Sequence, residues 1–233
     1  MLKNSVELLA EGRTKKHIES GKWGIAFLVG KDVVFDTFGD GEVFMKCLKK
    51  KARPDKIRHV VISHGHWDHT GGLWPLLELK KGIKIYFCRD TPRQIINKAL
   101  KKGARPVLCG EKPRRIAPGI YLTGQVKGKY KEKNIFEQAL VIKNVGKSIL
   151  LCGCSHPGPE AMLDKALEIP GVKKIDIMAG GFHLRGADAK EIEKTARYIM
   201  WRGVTAAEPM HCSGFKAERI FRRMFGKRKG GLR

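Results

Sequence analysis

A chain of 233 residues, 42% hydrophobic and 30% charged, has the balance of a folded globular protein, which excludes wholesale disorder. No run approaches the roughly 18–20 consecutive apolar residues of a membrane span, and Met1-Leu2-Lys3-Asn4-Ser5 leads into no signal-peptide core, so a cytoplasmic location is expected. Forty-seven Lys plus Arg against 23 Asp plus Glu leave +24 at pH 7, a field that attracts phosphorylated metabolites, nucleic acid or anionic membrane, unless it is only a solvated lysine-rich surface.

Gly24–Val29 is a short buried-strand run, and Val33–Phe35 follows it at hairpin distance. Residues 41–51 are helical by periodicity, with Val43 and Cys47 facing inward and Phe44 and Leu48 as further inward candidates. Ile57–Ile62 reads as a strand, Leu73–Leu79 as a helix with Pro75 in its first turn, and Ile83–Cys88 as a strand. Asp90–Lys101 is predicted helical from Thr91-Pro92 onward. Strands recur at Ile120–Thr123, Ala139–Lys143, Ser148–Cys152, Ile175–Met178 and Val204–Ala206, with helices at Glu160–Leu167 and Ala187–Arg202. No repeat or long linker interrupts the chain, so residues 1–233 are expected to form one domain, with a basic tail fraying from about residue 222. Early hairpins followed by strand–helix alternation predict a layered α/β fold.

One segment concentrates the chemistry: Ser63-His64-Gly65-His66-Trp67-Asp68-His69-Thr70-Gly71-Gly72, directly after Val60-Val61-Ile62. Alternate side chains of a strand point the same way, so His64 and His66 converge if extended geometry persists past Ile62. Asp68 and His69 fall where the chain turns into the next helix. Imidazole and carboxylate suit zinc, manganese or iron. Four candidate ligands in six positions are too many for one tetrahedral ion that keeps an open position, but they suit the start of two neighbouring sites. Three further histidines, His156, His183 and His211, each lie just past the C-terminal end of a predicted strand, where open α/β layers place their sites.

The histidine segment resembles the signature of the metallo-β-lactamase superfamily, and Val33-Val34-Phe35-Asp36-Thr37 is similar to its strand ending in a supporting aspartate. Ser63 to Leu73, Gly153-Cys154-Ser155-His156-Pro157-Gly158, Gly180-Gly181-Phe182-His183-Leu184 and Pro209-Met210-His211-Cys212-Ser213-Gly214 resemble the dihydropterin-ribofuranosylaminobenzene-phosphate synthase-like subgroup. Phe136-Glu137-Gln138-Ala139-Leu140 does so as well. The resemblance spans about residues 20 to 225. It implies a four-layer αβ/βα sandwich of the metallo-β-lactamase type, with His64, His66 and His156 on one divalent ion and Asp68, His69 and His211 on another. Where many members bridge the ions with an aspartate, this chain offers His183 or Cys154 instead, so the expectation is one or two ions, zinc first and manganese or iron as alternatives.

Asp68 and His183 are the candidate catalytic groups: Asp68 as orienter of the nucleophile besides being a ligand, His183 as donor to the leaving group or oxyanion. Cys154 and Cys212 read as small buried neighbours, and the six cysteines are too sparse for a disulfide scaffold. Glu137 is read either as approaching the site or as a solvated strand-edge residue. His17 is expected at the surface, His59 in a structural role, and Trp67 and Trp74 in packing around the histidine loop. The basic segment from Gly124 to Asn134 is either a flap over a phosphorylated substrate or a solvated hairpin.

The leading expectation is a metal-dependent hydrolase acting on an anionic or phosphorylated small molecule through water acidified towards a pKa of about 7. A second reading is a synthase that displaces pyrophosphate in pterin cofactor biosynthesis, which the positive field would favour. A third is a nuclease, which +24 would serve, although no alternation of basic and aromatic residues marks an RNA-binding surface.

Overall fold

The computed structural model describes residues 4–226. The chain forms two compact units, one running to Gly110 and the other beginning at Glu111, each built on one mixed sheet.

The first unit opens with β1 (Val6–Gly12) and a single capped turn, α1 (Lys15–Glu19), neither of which the apolar pattern announces. His17 is not merely a surface residue: its Nδ1 accepts the Arg13 and Thr14 N–H groups, closing a capping box at the start of α1. There follow β2 (Gly24–Val29), β3 (Val33–Phe35), α2 (Gly41–Lys51), β4 (His59–Val61), the helical turn α3 (Trp67–Thr70), α4 (Leu73–Leu79), β5 (Lys84–Cys88), α5 (Arg93–Lys101) and β6 (Arg105–Cys109). The strands lie side by side in chain order, β1 to β3 antiparallel and β3 to β6 parallel. Residues 54–56 form a 3₁₀ turn, and the predicted Ile57–Ile62 strand is shorter because Pro54 starts that turn.

Asp40 caps α2 by accepting the Glu42 and Val43 N–H groups, and Lys49, Lys50 and Lys51 sit at its negative end. Phe44 and Leu48 of α2, Leu73, Leu76 and Leu77 of α4, and Ile96 and Ala99 of α5 pack with Ala26, Leu28, Val34, Val60, Ile85 and Phe87 in one core. Of the four residues expected to face inward, Phe44 and Leu48 hold the centre, while Val43 and Cys47 flank it. The intervening residues Ile25, Phe27, Val33, Phe35 and Val61 are buried too, which explains apolar runs without alternation.

The second unit contains β7 (Arg114–Ala117), β8 (Ile120–Leu122), β9 (Val126–Tyr130), β10 (Lys133–Glu137), β11 (Leu140–Asn144), β12 (Lys147–Cys152), α6 (Pro159–Leu167), β13 (Ile177–Gly181), α7 (Ala189–Trp201), β14 (Ala206–Met210) and α8 (Gly214–Phe225). Its main sheet has the order β14-β13-β12-β11-β8-β7, with β12, β13 and β14 parallel and the rest antiparallel. The segment Gly124–Asn134 includes a hairpin, one of the two forms expected for it: β9 and β10 pair apart from the main sheet, turned by Lys131 and Glu132 at φ 45° and 62°, the paired positive values of a tight two-residue turn. Met162, Leu163, Ile192, Ala196, Ile199, Ala217, Ile220 and Phe221 from α6, α7 and α8 pack with Val141, Leu150 and Met178.

Chain fraying from residue 222 is not what the structure shows up to Phe225. Arg222 and Arg223 lie in α8 and pair with Glu218 and Glu193 at 2.8 and 2.6 Å, while residues 227–233 of the predicted tail lie outside the described residues. No helix among the described residues is long and apolar enough to cross a membrane.

Candidate metal centre

In the first unit, β3 and β4 run parallel and end together, which puts Asp36 beside Ser63 and the histidine segment. Asp36 is fully buried and holds the left-handed φ of 55°. Its Oδ1 accepts the Ser63 N–H at 2.7 Å, and its Oδ2 accepts the Ser63 hydroxyl at 2.7 Å and the His69 Nδ1–H at 2.7 Å. Since the Ser63 hydroxyl proton goes to a carboxylate, its oxygen must accept from His64 Nδ1, 2.9 Å away. Both histidines are thereby held with Nδ1 protonated and Nε2 offering a lone pair.

Those lone pairs face other donors. His64 Nε2 lies 3.0 Å from His66 Nδ1, and His69 Nε2 lies 3.4 Å from Asp68 Oδ2. Ligands at about 2.0–2.1 Å from one tetrahedral ion stand about 3.3 Å apart, so both pairs have the spacing of two ligands on one cation. Burial by itself would lower the His69 pKa, but the carboxylates Asp36 and Asp68 raise it well above the usual range, so the pocket favours positive charge at Nε2, whether a proton or a cation in the proton's place. The donor set therefore fits a divalent ion.

Local packing explains the crowding. The Thr37 N–H and hydroxyl both donate to the His69 carbonyl at 2.9 Å. Gly71 lies so close to Gly39 that a Cβ there would stand 1.8 Å from the Gly39 carbonyl oxygen. Trp67 packs its ring on Gly39 but remains 52% exposed, and Trp74 carries Lys98 Nζ 4.0 Å over its ring. His59 has its structural role: its Nδ1 is 3.0 Å from the Tyr86 hydroxyl.

In the second unit, the histidine-bearing loops leave the C-terminal ends of β12, β13 and β14, neighbours in the sheet. The strands β13 and β14 end three and four residues later than predicted, so His183 and His211 follow them almost at once. Ser155, His183 and His211 all take left-handed φ values of 60°, 51° and 49°, local strain of the sort found at working sites. Glu137 is not a solvated strand-edge residue. It is fully buried and accepts three backbone N–H groups, from Cys154 and Ser155 on Oε1 at 2.7 and 2.8 Å and from His156 on Oε2 at 2.8 Å. Its signal was a charge opening an apolar run, Glu137-Gln138-Ala139-Leu140.

The rings of His156 and His183 are 4.5 Å apart, with Tyr130 of the hairpin edge-on to both. Tyr130 is a residue that sequence reasoning passed over. His211 is buried at the start of a 3₁₀ turn. Cys154 and Cys212 are buried, as expected, yet they are more than filler: their sulfurs and a His183 ring nitrogen lie within 4.8 Å of one another. Burial would raise the Cys212 pKa, but Cys154, His211 and His183 bring it well below the usual thiol range. The Cys152 thiol is instead pushed up by burial.

The structure thus gathers His64, His66, Asp68 and His69 in the first unit, and His156, His183 and His211 at adjacent strand ends of the second. A family model for the metallo-β-lactamase superfamily matches residues 26–108. The chain is 31% identical to 7,8-dihydropterin-6-methyl-4-(β-D-ribofuranosyl)-aminobenzene-5'-phosphate synthase of Methanocaldococcus jannaschii, over 87% of this chain and 84% of that protein. Among solved structures, it resembles a metal-dependent hydrolase of the β-lactamase superfamily, with TM-score 0.74, 25% identity and coverage of 95% and 93% of the two chains. A metallo-β-lactamase fold protein from Bacillus subtilis shares the fold at TM-score 0.66, 14% identity and 93% and 92% coverage.

Proposed function

Since the chain belongs to the metallo-β-lactamase superfamily and is an enzyme of that metal-dependent class, we propose that it hydrolyses an anionic or phosphorylated small molecule. The observation that carries this reading is the network from Asp36 through Ser63, which leaves Nε2 of His64 and of His69 facing His66 and Asp68. In the proposal His64, His66 and His156 hold one divalent ion, zinc or else manganese or iron, and Asp68, His69 and His211 hold a second. Such ions supply Lewis acidity, polarising a carbonyl or phosphoryl oxygen and acidifying water.

The protein's own part is orientation and charge. Asp36 fixes two imidazole tautomers without contacting substrate. Asp68 also orients the attacking water, accepting one of its protons. His183, on the exposed side of its loop, donates to the oxygen that gains charge. Lys127, Lys129, Lys131 and Lys133 of the β9–β10 hairpin bring positive charge towards a phosphorylated substrate.

A second reading has an observation in its favour: the relative from Methanocaldococcus jannaschii is a synthase whose named product carries a pterin and a phosphate. In that case the same side chains stabilise a departing pyrophosphate while a carbon or amine nucleophile attacks. Screening metal-loaded protein against phosphodiesters, lactones and pterin diphosphates separates the two. Hydrolysis releases product from one substrate and water, whereas the synthase releases pyrophosphate only when both partners are present. His66→Ala and Asp68→Ala should abolish turnover and lower bound metal, measured by mass spectrometry, with the circular dichroism spectrum retained. Full turnover by either variant overturns both readings.

A further inference from the structure

The adjacent strands β12, β13 and β14 each deliver one soft or borderline donor at their C-terminal ends: Cys154, His183 and Cys212. All three belong to the second unit, and none is needed as a ligand in the function proposed above. From this juxtaposition we infer that Cys154, Cys212 and His183 form a further site for a thiophilic divalent cation of the zinc class, with its fourth position open to solvent.

The local backbone is arranged for this. Cys154 is the second residue after β12, where Glu137 fixes its amide, and Cys212 sits in the 3₁₀ turn after β14. Between them runs the end of β13, and there the chain carries Gly181. A Cβ at Gly181 would stand 2.7 Å from Cys212 Sγ and 3.0 Å from Cys154 Cα, so only glycine lets the two cysteines close over the middle strand. The turn at Phe182 is pinned by its N–H donating to Ser213 Oγ at 2.9 Å, which ties the His183 loop to the Cys212 turn. Left-handed backbone at His183 then brings its ring to the sulfurs.

The three donor atoms lie within 4.8 Å of one another. Tetrahedral zinc, with bonds of about 2.3 Å to sulfur and 2.0 Å to nitrogen, asks for separations of about 3.4–3.8 Å, which side-chain torsions alone can supply. Cys212 Sγ spends its proton on the Cys154 carbonyl at 3.6 Å, a weak bond that a metal readily replaces. Binding takes both cysteines as thiolates, the form in which sulfur ligates a metal. Two thiolates select zinc-class ions over magnesium or calcium. His183 is exposed while both cysteines are buried, so the ion would be reached from the histidine side, as a site with an open coordination position requires.

Cobalt(II) added to the full-length chain tests the assignment, because a thiolate–cobalt bond produces a near-ultraviolet charge-transfer band that histidine and carboxylate ligands do not. The wild-type protein should show the band, Cys154→Ser and Cys212→Ser should each cut it to about half, and the double variant should lose it. His183→Gln, at an exposed position and so safe for folding, should keep the band but weaken cobalt affinity by about tenfold or more. A His64→Ala/His66→Ala variant and an Asp68→Ala/His69→Ala variant should each lose turnover yet keep the band, which separates this site from both ions of the proposed reaction. Cobalt binding without a band, a band unchanged in the double cysteine variant, or unchanged affinity in His183→Gln each overturns the inference.

Discussion

The two units hold their histidines by opposite means. In the first, the buried carboxylate Asp36 reaches side chains, the Ser63 hydroxyl and the His69 ring, and thereby chooses which nitrogen of each imidazole is free. In the second, the buried carboxylate Glu137 accepts from backbone, the N–H groups of Cys154, Ser155 and His156. The first arrangement sets protonation and orientation of rings on a segment whose path is already secured by Thr37 and by the close approach of Gly71 to Gly39. The second sets the path of a strained loop and leaves its rings to their neighbours. A charge in the same kind of burial can therefore act as a chemical support or as a structural one, according to what donates to it.

Breaking the structural support should have the larger effect on stability. Glu137→Ala strands two buried N–H donors and a part-buried one, at about 1–3 kcal/mol for each buried donor, so a loss of about 3 kcal/mol or more is expected. That corresponds to a fall in Tm of about 6–12 °C, measured by calorimetry. Asp36→Asn should be the reverse case. An amide oxygen still accepts one N–H, but its nitrogen cannot accept from both Ser63 and His69, so the tautomer control is lost. Metal affinity in an equilibrium titration should drop by about ten- to hundredfold, with a smaller shift in Tm than Glu137→Ala produces. If Asp36→Asn unfolds the protein as readily as Glu137→Ala while leaving metal affinity intact, the contrast between the two carboxylates fails.

A finer probe is the hairpin. Gly128 of β9 touches the backbone of the His156 loop, where a Cβ would stand 2.7 Å from the His156 carbonyl carbon. Backbone on both sides cannot yield as a side chain tip would, so Gly128→Ala should shift hairpin or loop at a cost of about 1–3 kcal/mol. Glu137, at the base of β10, ties the loop to the foot of the hairpin, so the turn end of the hairpin is expected to move, which would raise KM with kcat nearly kept. A kcat loss at unchanged KM would mean that the loop had moved instead, and that the Glu137 anchor is the weaker of the two.

The first unit was more legible than the second, and the reason is locality. His64, His66, Asp68 and His69 lie within six residues behind a Val-Val-Ile strand, so their convergence needs only local geometry. The sandwich fold was implied by the resemblance that this stretch carries, and the layered α/β class by the strand–helix alternation. Less legible were elements whose stability comes from elsewhere. The helix α8 has its buried stripe of Ala217, Ile220 and Phe221 diluted by Arg and Lys. The ends of β13 and β14, Ala179-Gly180-Gly181 and Glu208-Pro209-Met210, lack β-branched residues. Pro209 is tolerated because β14 is an edge strand. The roles of Glu137, Tyr130 and the Cys154–Cys212 pair depend on contacts between segments far apart in sequence, which spacing does not encode.

The opposite end of the same parallel strands offers a third carboxylate and the mildest test. Asp176 precedes β13, and its Oδ2 accepts the Ser148 N–H at 2.8 Å while Oδ1 pairs with Lys174 at 2.7 Å. Burial tends to raise its pKa, but the Lys174 ammonium and the Ser148 N–H outweigh that and hold it below the ordinary aspartate range. Its folded pKa is therefore lower than the value of about 3.9 it has in the unfolded chain. The stability it contributes is fully present above about pH 3.9 and is lost as pH falls through the folded value. Asp176→Asn keeps an acceptor for Ser148 and loses the Lys174 pair, so about 1 kcal/mol or less should go at neutral pH. Below about pH 4 the gap between variant and wild type should close, in denaturant titrations run across that range. A gap that stays constant through the acid range would show that Asp176, like Glu137, supports the strand ends by the hydrogen bonds it accepts and not by its charge.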